Sequence, residues 1–271
     1  MSEVEPAPNR EGIILTAFKF ELQNIDKRYR VLFCALIAVL IQGCVFSAPL
    51  IGATSNSDSK TYTPDDLQSA YSKLAKTDGR VFAFNPKLSS IRVYAFRGGA
   101  APALGHNHVL SLPNFIGFVF LPNKRISDAR FDLEFRLDQL ELDNPEDRSK
   151  LGEAFATHPT PDDIKRTRDH MLGNDNLQAN LFPLVRIHAV HIAGERPKLA
   201  VDALVEMHGQ QQTISLPINV EVLPDHVSVT SAFVIRQSDF GIKAYSVLGG
   251  FLAVQNELVI EFSLVGTNTP L

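Results

Sequence analysis

The sequence predicts an all-β fold, an antiparallel eight-stranded closed barrel carrying one helical insertion. Three observations predict it. From Ile91 onward apolar and polar residues alternate with a period of two. Turn residues separate the alternating runs, and a single long polar stretch, 143–181, interrupts them with helix signals.

Taken in order, the chain begins with a leader. Lys27, Arg28 and Arg30 precede the uncharged run 31–41, which ends at Gln42-Gly43-Cys44, the layout of a secretory signal. Leu40-Ile41-Gln42-Gly43-Cys44 resembles a bacterial lipobox, whose cysteine is diacylated and starts the mature chain, although Gln42 is an unusual occupant. Two rivals stay open. The 23 nearly all-apolar residues 31–53 have the length of an uncleaved anchor, weakened by Pro49 and two glycines, and an ordinary cleaved signal is the other. All three readings export the protein. Residues 1–26 are long and acidic for such a leader, which points to a start downstream of Met1.

After Cys44, residues 55–66 are rich in Ser, Thr, Asp and Asn and read as a flexible tether. Residues 65–76 add a helix with Leu67, Tyr71 and Leu74 on one face. The expected organisation is leader 1–43, lipidated Cys44 with its tether over 44–80, and a barrel domain over 81–271.

Strands follow. Phe131, Leu133, Phe135 and Leu137 alternate with Asp132, Glu134, Arg136 and Asp138, one dry face and one wet. Leu199 to Met207, Ile214 to Val222, Val227 to Ile235 and Leu258 to Leu264 repeat the pattern. The predicted strands are 91–97, 107–112, 114–121, 128–140, 184–192, 198–208, 211–223 with 227–237, and 252–265; 107–121 reads as one bent strand or as two. Leu121-Pro122-Asn123-Lys124, Ala193-Gly194-Glu195-Arg196-Pro197, His208-Gly209-Gln210 and Leu223-Pro224-Asp225-His226 supply turns. In the insertion, Thr160-Pro161-Asp162-Asp163 caps a helix that Gly173 ends. Closure into a barrel removes unpaired edges; a two-sheet sandwich is the structural alternative.

Composition narrows the function. A formal charge of −4 and no Lys/Arg cluster argue against nucleic acid. With 18 Phe, 5 Tyr and no Trp, the aromatic surface nearly lacks polar handles, which suits a dry interior, whether an ordinary core or a ligand site. Cys34 and Cys44 are the only cysteines, so the barrel has neither disulfide nor Cys-based metal site. No Gly-x-Ser-x-Gly elbow or His-Glu-x-x-His helix occurs, and the chain does not read as an enzyme.

Several segments resemble the YceI-like family, exported lipocalin-like barrels that bind polyisoprenoid or other long-chain lipids. Leu104-Gly105-His106-Asn107-His108-Val109-Leu110 is similar to that family's early Gly-His-x-His segment, followed by the apolar run 115–120. Arg168-Asp169-His170-Met171-Leu172 with Leu181-Phe182-Pro183-Leu184-Val185-Arg186-Ile187 resembles its charged helix leading into a Phe-Pro strand. The paired strands over 201–213 are similar too. Ile235-Arg236-Gln237-Ser238-Asp239-Phe240-Gly241-Ile242 resembles its Arg-x-x-Asp-Phe-Gly-Ile signature. The resemblance implies a lipid carrier or reservoir in the bacterial envelope; the lipobox-like ending, in which this chain differs from members that are simply periplasmic, is expected to anchor it through Cys44 on the periplasmic side. Val45 is compatible with sorting to the outer membrane.

The walls of such a tunnel are expected from Phe115, Phe118, Phe131, Leu133, Phe135, Phe182, Val185, Ile187, Val205, Phe233, Ile235 and Phe240. His106 and His108, two apart on one strand face, are expected at the rim, where they orient a quinone or phosphate headgroup or bond to neighbouring groups. Arg236 and Asp239 are expected to pair around a bend that Gly241 permits. No cofactor is expected beyond a bound isoprenoid lipid or quinone. The alternative function is a metal- or haem-associated envelope redox protein using His106 and His108 with His170 or His158.

Overall fold

Side chains that alternate across a strand need a second layer or a closed surface for their apolar half, and this chain closes the surface. The computed structural model describes residues 64–268; the leader, Cys34, Cys44 and the tether up to residue 63 lie outside the described residues. Helix α1 (Pro64–Leu74) leads into β1 (Gly79–Phe84), β2 (Ser90–Gly98), β3 (His108–Ser111), β4 (Ile116–Pro122), β5 (Arg130–Arg136) and β6 (Glu141–Leu142). The insertion carries α2 (Pro145–Ser149) and α3 (Pro161–Leu172). Then come β7 (Leu184–Glu195), β8 (Lys198–Met207), β9 (Gln210–Val222), β10 (His226–Arg236), β11 (Ser246–Val247) and β12 (Leu252–Thr267).

These strands make eight antiparallel staves in simple up-and-down order among the described residues. Strand β12 closes the ring, pairing with β10 along one edge and with β2 along the other. Ala83↔Thr267 and Phe84↔Gly266 add β1 to that second edge.

The first three staves are each broken once. Strands β1 and β2 lie end to end beside β12; β3 pairs with β2 and β4 with β1; β6 pairs with β3 and β5 with β4. Each break reverses the parity of the inward side chains. Phe82 and Phe84 join the central core before the first break, and Ile91 and Val93 after it. His108 and Leu110 face the interior before the second, and Val119 and Leu121 after it. Leu133 and Phe135 face it before the third, and Leu140 and Leu142 after. Pro113, which has no N–H to donate to a ladder, sits in the second break. The stretch 107–121 is therefore one stave made of two strands.

Strand β1 falls outside the predicted series, which starts at Ile91, because its sequence does not alternate. Helix α1 covers its outer face: Tyr71 is 1% exposed and packs with Val81, Phe118 and Phe120, so both faces of β1 and β4 are apolar. The rings of Tyr71 and Phe118 stack at 5.0 Å. Residues 64–80, assigned from the sequence to the tether, thus form a docked helix and the start of a stave, held by the apolar face of α1.

Strands β8 and β9 turn through His208 (φ 54°) and Gly209 (φ 69°), two successive left-handed residues of the kind that matches strand twist. Strands β9 and β10 pair only from Val222↔Val227 to Asn219↔Thr230. Below that point Ser231 Oγ donates to the carbonyl of Pro217 at 2.6 Å. In the insertion, Phe155 packs with Tyr94 and Val109 on the outside of the wall. Thr160 and Asp163 form the full capping box at the start of α3, and Gly173 caps its end. Among the described residues no helix is long and apolar enough to cross a membrane.

Candidate functional site

The inward halves of the staves enclose a cavity of about 870 Å³, within the roughly 300–1,000 Å³ typical of small-molecule sites. Its walls are aliphatic and aromatic: Leu199, Val201, Ala203, Val205 and Met207 from β8, Ile214, Leu216, Ile218 and Val220 from β9, and Leu258, Ile260, Phe262 and Leu264 from β12. A bulge between Ala189 and His191 in β7 shifts the inward phase, so Ile192 lines the wall and His191 does not.

One end is solid. Phe82 and Val227 are 0% exposed, and a Cβ on Gly266 would fall 2.9 Å from Val227 and 3.0 Å from Phe82, so only glycine lets these side chains meet there. The other end carries the polar lining. It is supplied by His106 and His108, by Asp163, Arg166, Thr167 and His170 of α3, and by Lys243 and Tyr245. Leu104 lines the cavity and is 74% exposed, so the interior reaches solvent at this end. Asn176 Nδ2 donates to the carbonyl of Lys243 at 3.0 Å, and the rings of His170 and Tyr245 lie 5.1 Å apart, tying the insertion to the 243–247 loop.

A buried hydrogen-bonded ion-pair group at this mouth is built on His108. Its Nδ1 lies 2.6 Å from Asp143 Oδ2, and Asp143 is 1% exposed. Asp143 Oδ1 accepts from the Val109 N–H at 3.1 Å and from Arg148 Nη1 at 2.5 Å. Arg148 also donates to the carbonyls of Asn107, Phe155 and Thr157. Burial alone would push the Asp143 carboxyl up; its bonds from His108, Val109 and Arg148 hold it below the usual carboxylate range. Nδ1 of His106, whose ring centroid is 6.4 Å from that of His108, is buried without a partner.

Ten of the fourteen residues expected at the site line the cavity: Phe131, Leu133, Phe135, Val185, Ile187, Val205, Phe233, Ile235, His106 and His108. Four do not. Phe118 points outward beneath α1, because the break at Pro113 reverses the parity of β4 and puts Val119 inside. Phe115, 7% exposed, fills the core at that same break. Phe182 covers the β8–β9 turn, where a Cβ on Gly209 would sit 2.7 Å from its ring. Phe240, 1% exposed, is core below that turn, and its carbonyl faces His208 Nδ1 at 3.0 Å.

Two further expectations are corrected. Arg236 pairs with Glu257 across β12 at 3.3 Å, not with Asp239, although Gly241 does take the left-handed bend with φ 68°. His158 is exposed and His170 packs its ring at a tilt against Tyr245; among the described residues no three His, Cys, Asp or Glu cluster around a metal position. The lining from α3 escaped the sequence reading, although Asp163, Arg166, Thr167, His170 and Met171 fall at the spacing of one helix face.

Similarity to known proteins agrees with this architecture. A model of the YceI-like domain matches residues 118–266, more than half of the chain. Among solved structures, Burkholderia cenocepacia BcnA is similar at 15% identity with a TM-score of 0.51, over 68% of this chain and 99% of that one. A polyisoprenoid binding domain from Saccharophagus degradans, implicated in plant cell wall breakdown, matches at 10% identity and TM-score 0.46, over 69% of this chain and 98% of that one. The Campylobacter jejuni YceI protein matches at 9% and 0.44, over 59% and 84%. No curated protein sequence matches the chain. A closed antiparallel barrel, the hollow apolar interior and the matched domain together place this chain in the YceI-like domain family.

Proposed function

We propose that this protein binds a long-chain isoprenoid or similar hydrophobic molecule in its barrel and acts as its carrier or reservoir, not as an enzyme. One observation carries the reading: a hollow of about 870 Å³, walled by apolar side chains, solid at one end and open with polar groups at the other. Such a shape accepts a chain tail first and leaves a polar head at the mouth. Each Å² of apolar surface taken from water contributes about 25 cal/mol, a non-directional term that favours length over fine structure.

The ligand's poor solubility in water requires collection at a membrane. Leu104, Leu248 and Phe251, which are 74%, 77% and 54% exposed, form an apolar rim beside the mouth that suits contact with a lipid surface. The lipobox-like sequence at Cys44 supports tethering to the periplasmic side of a bacterial envelope, with the outer membrane as the destination.

Native mass spectrometry of protein gently extracted from its host tests the binding. The expected result is a folded barrel carrying an extractable lipid and taking up labelled isoprenoid. A compact, empty barrel that takes up none would overturn it. Labelling with a radioactive fatty acid tests the tether separately: label is expected on the wild type and absent from Cys44→Ser, and an unlabelled wild type removes the anchor.

A further inference from the structure

Strands β9 and β10 are neighbours in the wall, yet they pair only over 219–222 and 227–230. The cause lies in Pro217. In an antiparallel strand the backbone groups of alternate residues turn to the same side. Leu223 donates its N–H to the His226 carbonyl, so Glu221, Asn219 and Pro217 are turned to β10. Proline has no N–H to donate, and the ladder stops where that residue would come next. Ser231 Oγ takes the Pro217 carbonyl instead, and farther along Gln212 Nε2 donates to the Asp239 carbonyl at 2.7 Å. Between these two side-chain bridges no ladder joins the strands, while β9 stays paired to β8 and β10 to β12.

A groove of about 260 Å³ lies along this seam, with Thr213, Ser215 and Val234 in its lining. Ile214 and Ile235 line both the groove and the hollow, so these two side chains are what separates outside from inside there. The paired part of the two strands lies at the solid end, with Val227, and the seam lies toward the mouth, where β10 runs on into Gln237, Ile242 and Lys243 of the lining. Parting β10 from β12 would break a ladder running from His226 to Arg236. Parting β9 from β10 along the seam breaks two side-chain hydrogen bonds and separates two isoleucines.

We propose that the seam between β9 and β10 is a lateral portal, through which a long apolar chain slips sideways between the hollow and the outside when Ile214 and Ile235 part. The portal rests on the carrier reading and adds to it the route of exchange. A chain leaving sideways peels out along its length while its head stays at the mouth, and its tail need not be threaded end-on past the polar lining.

A bridge across the seam tests this. Ser215→Cys and Val234→Cys, whose side chains face outward on either side of the groove, are introduced into the full chain carrying Cys34→Ser and Cys44→Ser and joined with a short bis-maleimide. Retinol, a fluorescent isoprenoid, is bound, and its release into excess phosphatidylcholine vesicles is followed by stopped-flow fluorescence. The bridge is expected to slow release by about ten-fold relative to the same protein left unbridged, as closing the rate-limiting opening would. A control bridge between Thr230→Cys and Ser263→Cys, opposite each other in the β10–β12 ladder, is expected to leave the rate unchanged. Equal release with and without the seam bridge, or equal slowing by both bridges, overturns the portal and leaves the carrier reading standing. No binding of retinol by the unbridged protein overturns both. Ile214→Ala and Ile260→Ala, which need no bridge, give a second measure: Ile260 lines the hollow in a strand paired on both sides. Faster release from Ile214→Ala than from Ile260→Ala is expected, and equal rates overturn the portal.

Discussion

The hydroxyl of Tyr71 donates to Asp132 Oδ2 at 2.7 Å, joining a helix before the barrel to the outer face of its third stave. The other carboxylate oxygen, Oδ1, lies 2.6 Å from Nδ1 of His188 on β7. One carboxylate thus ties three elements together on the outside of the wall, above a ring stack between Tyr71 and Phe118. Burial, followed by the charge of Asp132 and its hydrogen bond, pushes the Tyr71 phenol upward, so it remains a donor well into the alkaline range.

Removing only the hydroxyl, in Tyr71→Phe, is expected to cost about 1 kcal/mol, the net worth of one hydrogen bond. Tyr71→Ala empties the site beneath α1 and is expected to cost about 3–5 kcal/mol. Urea midpoints of the two variants check both, and equal losses would mean that the helix is not docked through this residue.

The same carboxylate makes stability depend on pH. The hydrogen bond to Asp132 is the chief cause that raises the His188 pKa, with burial opposing it. Because the folded value lies above the unfolded one of about 6.5, the stabilisation is fully present below that pH and is lost as pH rises through the raised value. His188 is 48% exposed, so solvent screening keeps the effect small. Comparing urea midpoints of wild type and His188→Gln from about pH 5 to about pH 9 should show the wild-type advantage shrinking as pH increases.

Filling the hollow should separate binding from folding. Ala203, 3% exposed on β8, faces the cavity, and Ala203→Phe places a ring where the chain would lie. We expect a stability change within about 1–3 kcal/mol and a loss of isoprenoid binding of at least about ten-fold. Val190→Thr, at the outward bulge and 52% exposed, should bind as the wild type does. Unchanged binding by Ala203→Phe would place the ligand elsewhere.

The pair beneath His108 is a stability hazard if broken. The side chains of Asp143 and Arg148 are 0% and 7% exposed, so Asp143→Ala strands a buried guanidinium and is expected to cost about 3–5 kcal/mol. Asp143→Asn keeps one acceptor oxygen for Arg148 and Val109 and a residue tolerant of the φ of 54° found there, and should cost less. Chemical denaturation of both variants tests the order.

What could be read ahead of the structure depended on how each wall is covered. Strand β5 alternates cleanly because its outer Asp132 and Glu134 bear polar partners, so its period of two shows that Phe131, Leu133 and Phe135 face inward. Strand β4 hides the direction of Phe118, because a docked helix makes its outer face as greasy as its inner one. The alternation from Leu199 to Met207 is unbroken because β8 pairs residue for residue with β9, and the bulge in its other pairing lies in β7. The α3 lining stayed hidden, since a polar helix face reads as solvated until a cavity mouth is placed under it.

The sequence by itself determined the class of fold, the helix caps and most of the inward side chains, because period two and capping are local consequences of backbone geometry. Only the tertiary structure decided three things: the parity change at each stave break, the docking of α1, and the meeting of His108 with Asp143 thirty-five positions away. Those depend on which staves become neighbours when the barrel closes, and closure joins residues whose separation along the chain carries no local signal.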